Sequence, residues 1–146
     1  MAEVRVNVYV HAKRDDVFAL VSDHEKFIRG GLVRSCTVVT EGTDDRNGLG
    51  CMREIVTPGI RFVEEITVFQ RPSRFDYLIR ETNLPIHHEG GSLRFHERGP
   101  GTEIDWVSLF SIPVPLLGGA LARLAATNLT AAFTQLLLNA KSELER

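Results

Sequence analysis

The chain begins with a segment in which apolar and polar residues alternate with a period of two. This period is typical of a strand with one buried face, and its apolar positions are Val4, Val6, Val8 and Val10. Over Ala12–Ser22 the period changes to that of a helix. Asp23 is in place to cap a second short helix, His24–Arg29, which the Gly30-Gly31 pair is expected to end.

Residues 32–112 repeat a different pattern, in which β-rich runs alternate with clusters of turn residues. Short strands joined by such turns predict an antiparallel meander. The predicted strands are Leu32–Glu41, Leu49–Thr57, Ile60–Phe69, Phe75–Thr82, His87–His96 and Thr102–Ile112. The tail, Leu116–Arg146, repeats apolar residues every three or four positions and predicts one long helix. Its apolar stripe comprises Leu121, Ala125, Leu129, Ala132, Leu136, Ala140 and Leu144.

The predicted element order is β-α-α-β-β-β-β-β-β-α, an α+β fold. A seven-stranded antiparallel sheet must cover its apolar face, and the long helix is the element able to cross it. We expect a curved sheet wrapped on the C-terminal helix, a helix-grip arrangement, with the two short helices closing one end. This topology predicts a hollow between sheet and helix. At 146 residues, the chain is expected to form one ligand-binding domain.

Composition and charge exclude several classes of protein. The 17 basic and 19 acidic residues give a net charge of −2, without the basic excess of a nucleic-acid binder. No run of 18 apolar residues suggests a membrane span, and no signal peptide is recognisable. Cys36 and Cys51 lack zinc-ligand spacing. We therefore expect reduced core thiols, a cytoplasmic protein and no metal.

Three segments carry a resemblance to a known family. Val10–Glu25 is similar to a strand, a small residue and a helix ending in an aspartate. Gly48–Arg53 is similar to a glycine-led strand with an arginine, and Gly101–Trp106, followed by Phe110, to a glycine-threonine strand with a tryptophan. With the element order, these motifs resemble the START/birch-pollen-allergen superfamily (SRPBCC), and within it the polyketide cyclase/dehydrase-like group. The resemblance implies a deep apolar cavity between sheet and C-terminal helix that binds a hydrophobic small molecule.

Matching of apolar residues across hairpins predicts which side chains face this cavity. The matching pairs are Phe95 with Ile104, Leu93 with Trp106, Val68 with Phe75, and Ile66 with Tyr77. The last two pairs bring Glu64 near Ile79, and Phe62 near Glu81. The candidate ligand-binding residues are therefore Trp106, Ser108, Phe110, Leu93, Phe95 and Glu89 on the sheet, with Leu121 and Asn128 on the helix.

Four polar residues are the candidates for chemistry. Tyr77 offers a phenol donor to a ligand carbonyl, and a desolvated Glu64 can act as general acid or base. Arg53 can bind an oxyanion, and His88 is the alternative acid or base. A structural interpretation stands beside each role, since Tyr77 can be a core aromatic and Glu64 can simply pair with Arg53. Because neighbouring strand residues point to opposite faces, His87 and His88 do not suggest a metal site.

Three functions remain open at this point. For an enzyme, the resemblance suggests aldol cyclisation and dehydration of a poly-β-ketone, with Tyr77 and Arg53 as donors and Glu64 or His88 as acid or base. The alternative is a non-catalytic carrier or sensor of a lipid or isoprenoid. A third is a partner-binding module that uses Ile112–Leu117 as a dimerisation patch or lid. No nucleotide-binding loop or nucleophile motif is visible, so no cofactor is expected, and monomer and homodimer both stay possible.

Overall fold

The computed structural model describes residues 1–146 and consists of one seven-stranded antiparallel sheet, one long helix and two short helices. The strands lie in the order β1-β7-β6-β5-β4-β3-β2. The strands are β1 (Ala2–Val10), β2 (Ser35–Thr40), β3 (Met52–Thr57), β4 (Ile60–Gln70), β5 (Arg74–Thr82), β6 (His87–Arg98) and β7 (Gly101–Ser111). The helices are α1 (Arg14–Val21), α2 (His24–Phe27) and α3 (Gly118–Leu144). The helix-grip fold expected from the sequence is confirmed.

The N-terminal strand returns to the far end of the meander and pairs with its last strand. Val4 lies opposite Ser108 and Val6 opposite Trp106. The period-two pattern of β1 places its valines on the buried face, which contributes to the core, while Glu3 and Arg5 remain exposed. β1 and β7 together form the part of the sheet that carries the long helix.

The long helix α3 packs mainly against β1, with smaller contacts to β7 and α1. The helical pattern of the tail is confirmed, but the buried face differs from the predicted stripe. Leu121 and Ala132 are exposed, whereas Ala122, Phe133 and Leu137 pack on the core. The first half of α3 carries apolar residues on most of its circumference, so periodicity alone does not fix the face that turns inward.

The predicted registers hold where the ladders are regular and fail at bulges. Phe95 pairs with Ile104, and Leu93 with Trp106, as expected. Ile66 with Tyr77 and Glu64 with Ile79 are also confirmed. Bulges on either side of these pairs shift the ends of the hairpin, so that Val68 lies opposite Asp76, and Phe62 opposite Thr82. An extra residue in one strand changes the pairing beyond it, and apolar matching cannot detect this.

The two short helices, α1 and α2, close one end of the sheet. α2 begins where expected but ends earlier, at Phe27, and the side chain of Asp23 makes no capping hydrogen bond. The backbone N–H of His24 is bonded instead to Asn47 Oδ1, at 3.3 Å, from the turn between β2 and β3. This contact connects the turn to the interior. No helix of the chain is long and apolar enough to cross a bilayer.

Candidate functional site

Seven polar or amphipathic side chains gather on the inner, concave face of the sheet and form what we call the inner-face cluster. Its members are His24, Arg53, Glu64, Tyr77, His88, Trp106 and Ser108. None is more than 9% exposed. Polar side chains at this depth must satisfy one another, because water does not reach them freely. Six of the seven were candidates from the sequence.

A buried ion pair forms the first half of the inner-face cluster. Arg53 on β3 lies directly opposite Glu64 on β4. Its Nε donates to Glu64 Oε1 at 2.9 Å, and its Nη2 lies 2.7 Å from the same oxygen. Glu64 Oε2 accepts no hydrogen bond from the chain. The pairing that the sequence left open for Glu64 is therefore the one observed, and the carboxylate retains one unpartnered oxygen.

His24 holds the third nitrogen of Arg53. His24 Nδ1 lies 3.0 Å from Arg53 Nη1, and His24 Nε2 lies 2.9 Å from the carbonyl oxygen of Asn47. Since the guanidinium can only donate and the carbonyl can only accept, the imidazole is neutral with its hydrogen on Nε2. Burial, followed by the charge of Arg53, lowers the pKa of His24 to about 3. His24 is thus a fixed acceptor that orients Arg53.

Tyr77 crosses a neighbouring strand to reach the other half of the inner-face cluster. It lies opposite Gly91 on β6, and Gly91 lies opposite Ser108 on β7. A β-carbon at position 91 would overlap with Cζ of the phenol ring. Trp106 Nε1 donates to Tyr77 Oη at 3.0 Å, and Arg53 Cζ lies 5.0 Å from the ring centroid. Burial raises the pKa of Tyr77, so its hydroxyl stays protonated at neutral pH.

His88 is held on both sides by the chain. The backbone N–H of Ile79 donates to His88 Nδ1 at 3.0 Å, so the hydrogen resides on Nε2, which lies 2.9 Å from Ser108 Oγ. Burial, with a smaller contribution from His87, lowers the pKa of His88 to about 4. With both nitrogens engaged and the ring neutral, His88 has no free site for general acid or base work. The same tautomer cannot accept a proton from Ser108, which excludes a serine nucleophile activated by His88.

The apolar candidates lie beneath and beside the inner-face cluster. Leu93, Phe95 and Phe110 are buried core residues. Trp106 stacks on Phe133 of α3 with ring centroids 3.9 Å apart and planes 5° apart. This stack spans the space between sheet and helix. It occupies space between sheet and helix where the topology predicted a hollow.

Three predicted ligand-binding residues belong neither to the inner-face cluster nor to the buried core beside it. Glu89 was expected to face inward, which is wrong: a bulge between His88 and Gly90 turns it outward, where it lies 2.9 Å from His87 Nε2. Leu121 is 40% exposed and Asn128 is also exposed, beside the buried stripe of α3. Without the bulge, the parity that brings Ser108 and Gly91 inward would have brought Glu89 inward too.

Sequence reasoning missed three residues that organise the inner-face cluster. His24 was predicted only as part of a short helix, and Asn47 and Gly91 were assigned no role. The signal available was the Gly90-Gly91 pair inside a strand, because glycine within a strand often marks a close approach by another group.

Two surface pockets meet the inner-face cluster only at Tyr77, which lines the first of them together with Gly91. One, of about 280 Å³, lies on the outer face of the sheet beside Gly90 and Ser92. Another, of about 410 Å³, lies between α2 and the end of α3 near Phe27 and Asn139. Neither is lined by Arg53, Glu64 or His88. No three histidine, cysteine or acidic side chains are grouped as metal ligands would be.

Residues 1–145 match the sequence model of a family described as "Polyketide cyclase / dehydrase and lipid transport". No curated protein sequence matches the chain.

Solved structures with a similar fold cover nearly the whole chain. The protein TTHA0849 from Thermus thermophilus is 21% identical with a TM-score of 0.76, covering 98% of this chain and 97% of its own. A START superfamily protein from Mycobacterium smegmatis is 16% identical with a TM-score of 0.73 and the same two coverages. Ara h 8.0201 is 13% identical with a TM-score of 0.67, again covering 98% and 97%. At these identities the similarity shows the fold alone.

Proposed function

Because this chain belongs, over residues 1–145, to the polyketide cyclase/dehydrase and lipid transport family, we propose that it binds a hydrophobic small molecule between the inner face of the sheet and α3. The inner-face cluster is the observation that carries the proposal. A buried ion pair often stabilises a fold no better than apolar residues of similar volume. Ligand sites, by contrast, combine apolar walls with a few convergent polar groups. The inner-face cluster has that composition.

Two apolar surfaces support a ligand position next to the inner-face cluster. On the sheet, Val38, Phe62 and Ile79 share the inner face but are only partly buried, since α3 packs over the β1–β7 side. On the helix, Ala125 and Leu129 are also only partly buried. A hydrophobic ligand would cover both surfaces and gain about 25 cal/mol for each Å² of apolar area removed from water. The Trp106–Phe133 stack would then form one wall or move aside.

The first test is native mass spectrometry of the purified protein, with identification of any released molecule. Titration with hydrophobic ligands, followed by the emission of Trp106, tests binding directly because Trp106 is the only tryptophan. We expect saturable binding that Phe62→Asp weakens and that the exposed control Leu138→Asp leaves unchanged. Equal binding by wild type and Phe62→Asp, or no binding of any hydrophobic ligand, would contradict the proposed function.

Catalysis is the second candidate, favoured by one observation. Arg53 touches both a carboxylate with an unpartnered oxygen, Glu64, and a protonated phenol, Tyr77. In an aldol cyclisation, Glu64 would take a proton from the carbon between two ketones, and that carbon would attack a second carbonyl to form the new C–C bond. The Tyr77 hydroxyl would stabilise the resulting alkoxide. Protonated Glu64 would return its proton to that oxygen, and loss of water would follow.

The catalytic and carrier functions differ in the fate of the ligand. A cyclase converts a poly-β-ketone into a ring product and water, whereas a carrier of a lipid or isoprenoid releases its ligand unchanged. We expect the double variant Tyr77→Phe/Glu64→Gln to lose conversion. The outcome that removes the catalytic candidate is conversion by this variant at the wild-type rate.

Location and oligomeric state belong to the same proposal. We place the protein in the cytoplasm, which the free thiols of Cys36 and Cys51 support, since disulfides are rare there. The Ile112–Leu117 segment exposes Leu116 fully and Leu117 by 61%. Light scattering distinguishes a monomer from a homodimer that uses this segment, and Leu116→Ser should reduce association only in the second case.

A further inference from the structure

The charges of the inner-face cluster cancel. Arg53 and Glu64 form a pair of one positive and one negative charge, at 2.7 Å. His24 and His88 are both held as neutral imidazoles by their partners, and burial keeps the Tyr77 phenol protonated. The nearby thiols add no charge, because burial raises the pKa of Cys36 and of Cys51 to about 11. A second anion in this space would therefore meet no uncompensated cation.

The positive charge of Arg53 is already balanced within the chain. Each of its three side-chain nitrogens has a partner in the chain, with Nε and Nη2 on Glu64 and Nη1 on His24. The phenol ring of Tyr77 covers a face of the guanidinium at 5.0 Å. A ligand carboxylate at the two remaining N–H groups of Arg53 would place two carboxylates against one guanidinium. A ligand carboxylate that displaced Glu64 would leave the carboxylate of Glu64 buried without a partner. Either arrangement buries one uncompensated negative charge. Burying an unpaired charge is among the most expensive changes in a protein interior.

The hydroxyl groups of Tyr77 and Ser108 have more hydrogens than they have acceptors in the chain. Trp106 Nε1 donates to Tyr77 Oη, and His88 Nε2 donates to Ser108 Oγ. Tyr77 lies opposite Gly91 and Gly91 opposite Ser108, so the two hydroxyls point to the same place, and they carry two further hydrogens. A bond between them would use only one of these, and neither hydroxyl donates to any other group of the chain. At least one hydroxyl hydrogen therefore remains without an acceptor, at a position no more than 4% exposed.

We propose that the buried polar end of the ligand is an uncharged oxygen, such as a ketone carbonyl, that accepts the free hydrogen of the Tyr77–Ser108 pair. Carboxylates and phosphates are excluded from this position. The inference rests on the proposed function and narrows it, since fatty acids and phospholipid headgroups are removed from the candidate ligands. Neutral ketones, quinones and similar oxygenated hydrocarbons remain.

Three ligands of nearly equal shape test the proposal by calorimetry at pH 7.5. These are 2-ethylnaphthalene, 2-acetylnaphthalene and 2-naphthoate, which differ in having no oxygen, a carbonyl or a carboxylate. We expect the ketone to bind about three- to tenfold more tightly than the hydrocarbon, the contribution of one net hydrogen bond. We expect the carboxylate to bind at least tenfold more weakly than the ketone. Carboxylate binding equal to or tighter than that of the ketone would overturn the inference.

Infrared spectroscopy of 2-acetylnaphthalene labelled with ¹³C at the carbonyl reports the hydrogen bond itself. The C=O stretch should shift to lower frequency in the wild-type complex, and Tyr77→Phe should reverse most of that shift. Tyr9→Phe is the matched control, because the Tyr9 hydroxyl donates to the carbonyl of Arg98, away from the inner-face cluster. An unshifted carbonyl in the wild-type complex contradicts the proposed donor.

Removal of the negative charge of Glu64 should give a variant with a higher affinity for an anionic ligand. Glu64→Gln keeps the shape of the side chain but leaves the charge of Arg53 uncompensated, so 2-naphthoate should gain at least tenfold in affinity relative to 2-acetylnaphthalene. An unchanged ratio overturns the inference. If all three ligands bind equally, the inference fails while the proposed function stands. If none binds and the purified protein carries no ligand, the proposed function fails as well.

Discussion

The phenol ring of Tyr77 lies directly over the backbone of Gly91, where a single added methyl group would overlap with Cζ. This contact allows the Tyr77 hydroxyl to reach Trp106 on β7, two strands away from its own. Because Gly91 on β6 has no side chain, the side chain of Tyr77 on β5 can extend across that strand. The geometry of the inner-face cluster depends on this glycine as much as on its polar members.

Gly91→Ala should expel the Tyr77 ring from its position. We expect a loss of about 1–3 kcal/mol in the free energy of unfolding from overpacking, together with a shift in Trp106 emission as the hydrogen bond from Nε1 is lost. Chemical denaturation and fluorescence spectra measure the two effects. Gly119→Ala is the control: a β-carbon at this helical position would make only an ordinary contact with the end of the Arg123 side chain, at 3.8 Å, so the substitution should stabilise the protein slightly. An unchanged Trp106 spectrum in Gly91→Ala would contradict the prediction.

Removal of either partner of the Arg53–Glu64 pair should be more harmful than removal of both. Arg53→Met leaves a buried carboxylate, and Glu64→Leu leaves a buried guanidinium, each costing about 3–5 kcal/mol. The double variant Arg53→Met/Glu64→Leu should recover much of the loss, because no charge remains unpaired. A double-mutant cycle in urea measures the coupling, and strictly additive losses would show that the pair does not act as a unit. The exposed pair Arg80–Glu65 is the matched control, with a coupling of about 1 kcal/mol or less.

Acid should destabilise the protein through two buried histidines. The pKa values of His24 and His88 are lowered to about 3 and about 4 in the folded chain, against about 6.5 when unfolded. Between these values the unfolded chain binds protons that the folded chain does not, so stability falls as pH falls. The free energy of unfolding should fall as the pH is lowered from 7 to 4. The slope should approach the value for two protons taken up on unfolding.

Single substitutions test whether His24 and His88 each account for one of the two protons. His24→Gln and His88→Gln should each reduce the slope by about one proton, whatever their effect on stability at pH 7. His11→Gln, at an exposed position outside the inner-face cluster, controls for the substitution itself. A slope that stays the same in both buried variants would mean that other groups cause the acid sensitivity.

Phe133 occupies the space between the sheet and α3 where a flat ligand would meet Trp106. Phe133→Ala should lower the free energy of unfolding by up to about 3–5 kcal/mol and should increase the affinity for planar ligands that replace the lost ring. Binding of 2-acetylnaphthalene and thermal unfolding measure the two effects. Leu138→Ala, on the exposed side of α3, should change neither strongly. A weaker affinity in Phe133→Ala would indicate that Phe133 contacts the ligand rather than replacing it.

The fold was predictable because its signals are regular. Alternation in β1, turn clusters in the meander and the three-four step in the tail each predict one element, and the element order leaves few ways to cover the sheet. The apolar pairs Leu93–Trp106 and Ile66–Tyr77 were predictable because a one-residue slip would expose the whole core face.

The inner-face cluster was predictable only in part. Glu64, Tyr77 and Ser108 lie on strands whose parity could be followed from their apolar neighbours. The sequence left the face of Arg53 open, because it stands between Met52 and Glu54 without a clear alternation. His24 and Asn47 come from a short helix and a turn, whose packing on the sheet follows from no local pattern. Glu89 was misplaced because a bulge changes parity without changing composition. Contacts between distant segments and single-residue irregularities are the two kinds of information that periodicity does not contain.

The turn between β2 and β3 lies at the surface, yet it ends inside the molecule. The carbonyl oxygen of Asn47 accepts a hydrogen bond from His24 Nε2. His24 Nδ1 in turn accepts from Arg53, and Arg53 donates to Glu64. Arg46 of the same turn is paired with Glu25 of α2, at 2.8 Å. Surface turns usually accept changes of length and sequence freely. Here a change at Asn47 would reach the buried Arg53–Glu64 pair through His24, so we expect this turn to tolerate less variation than a surface turn usually does.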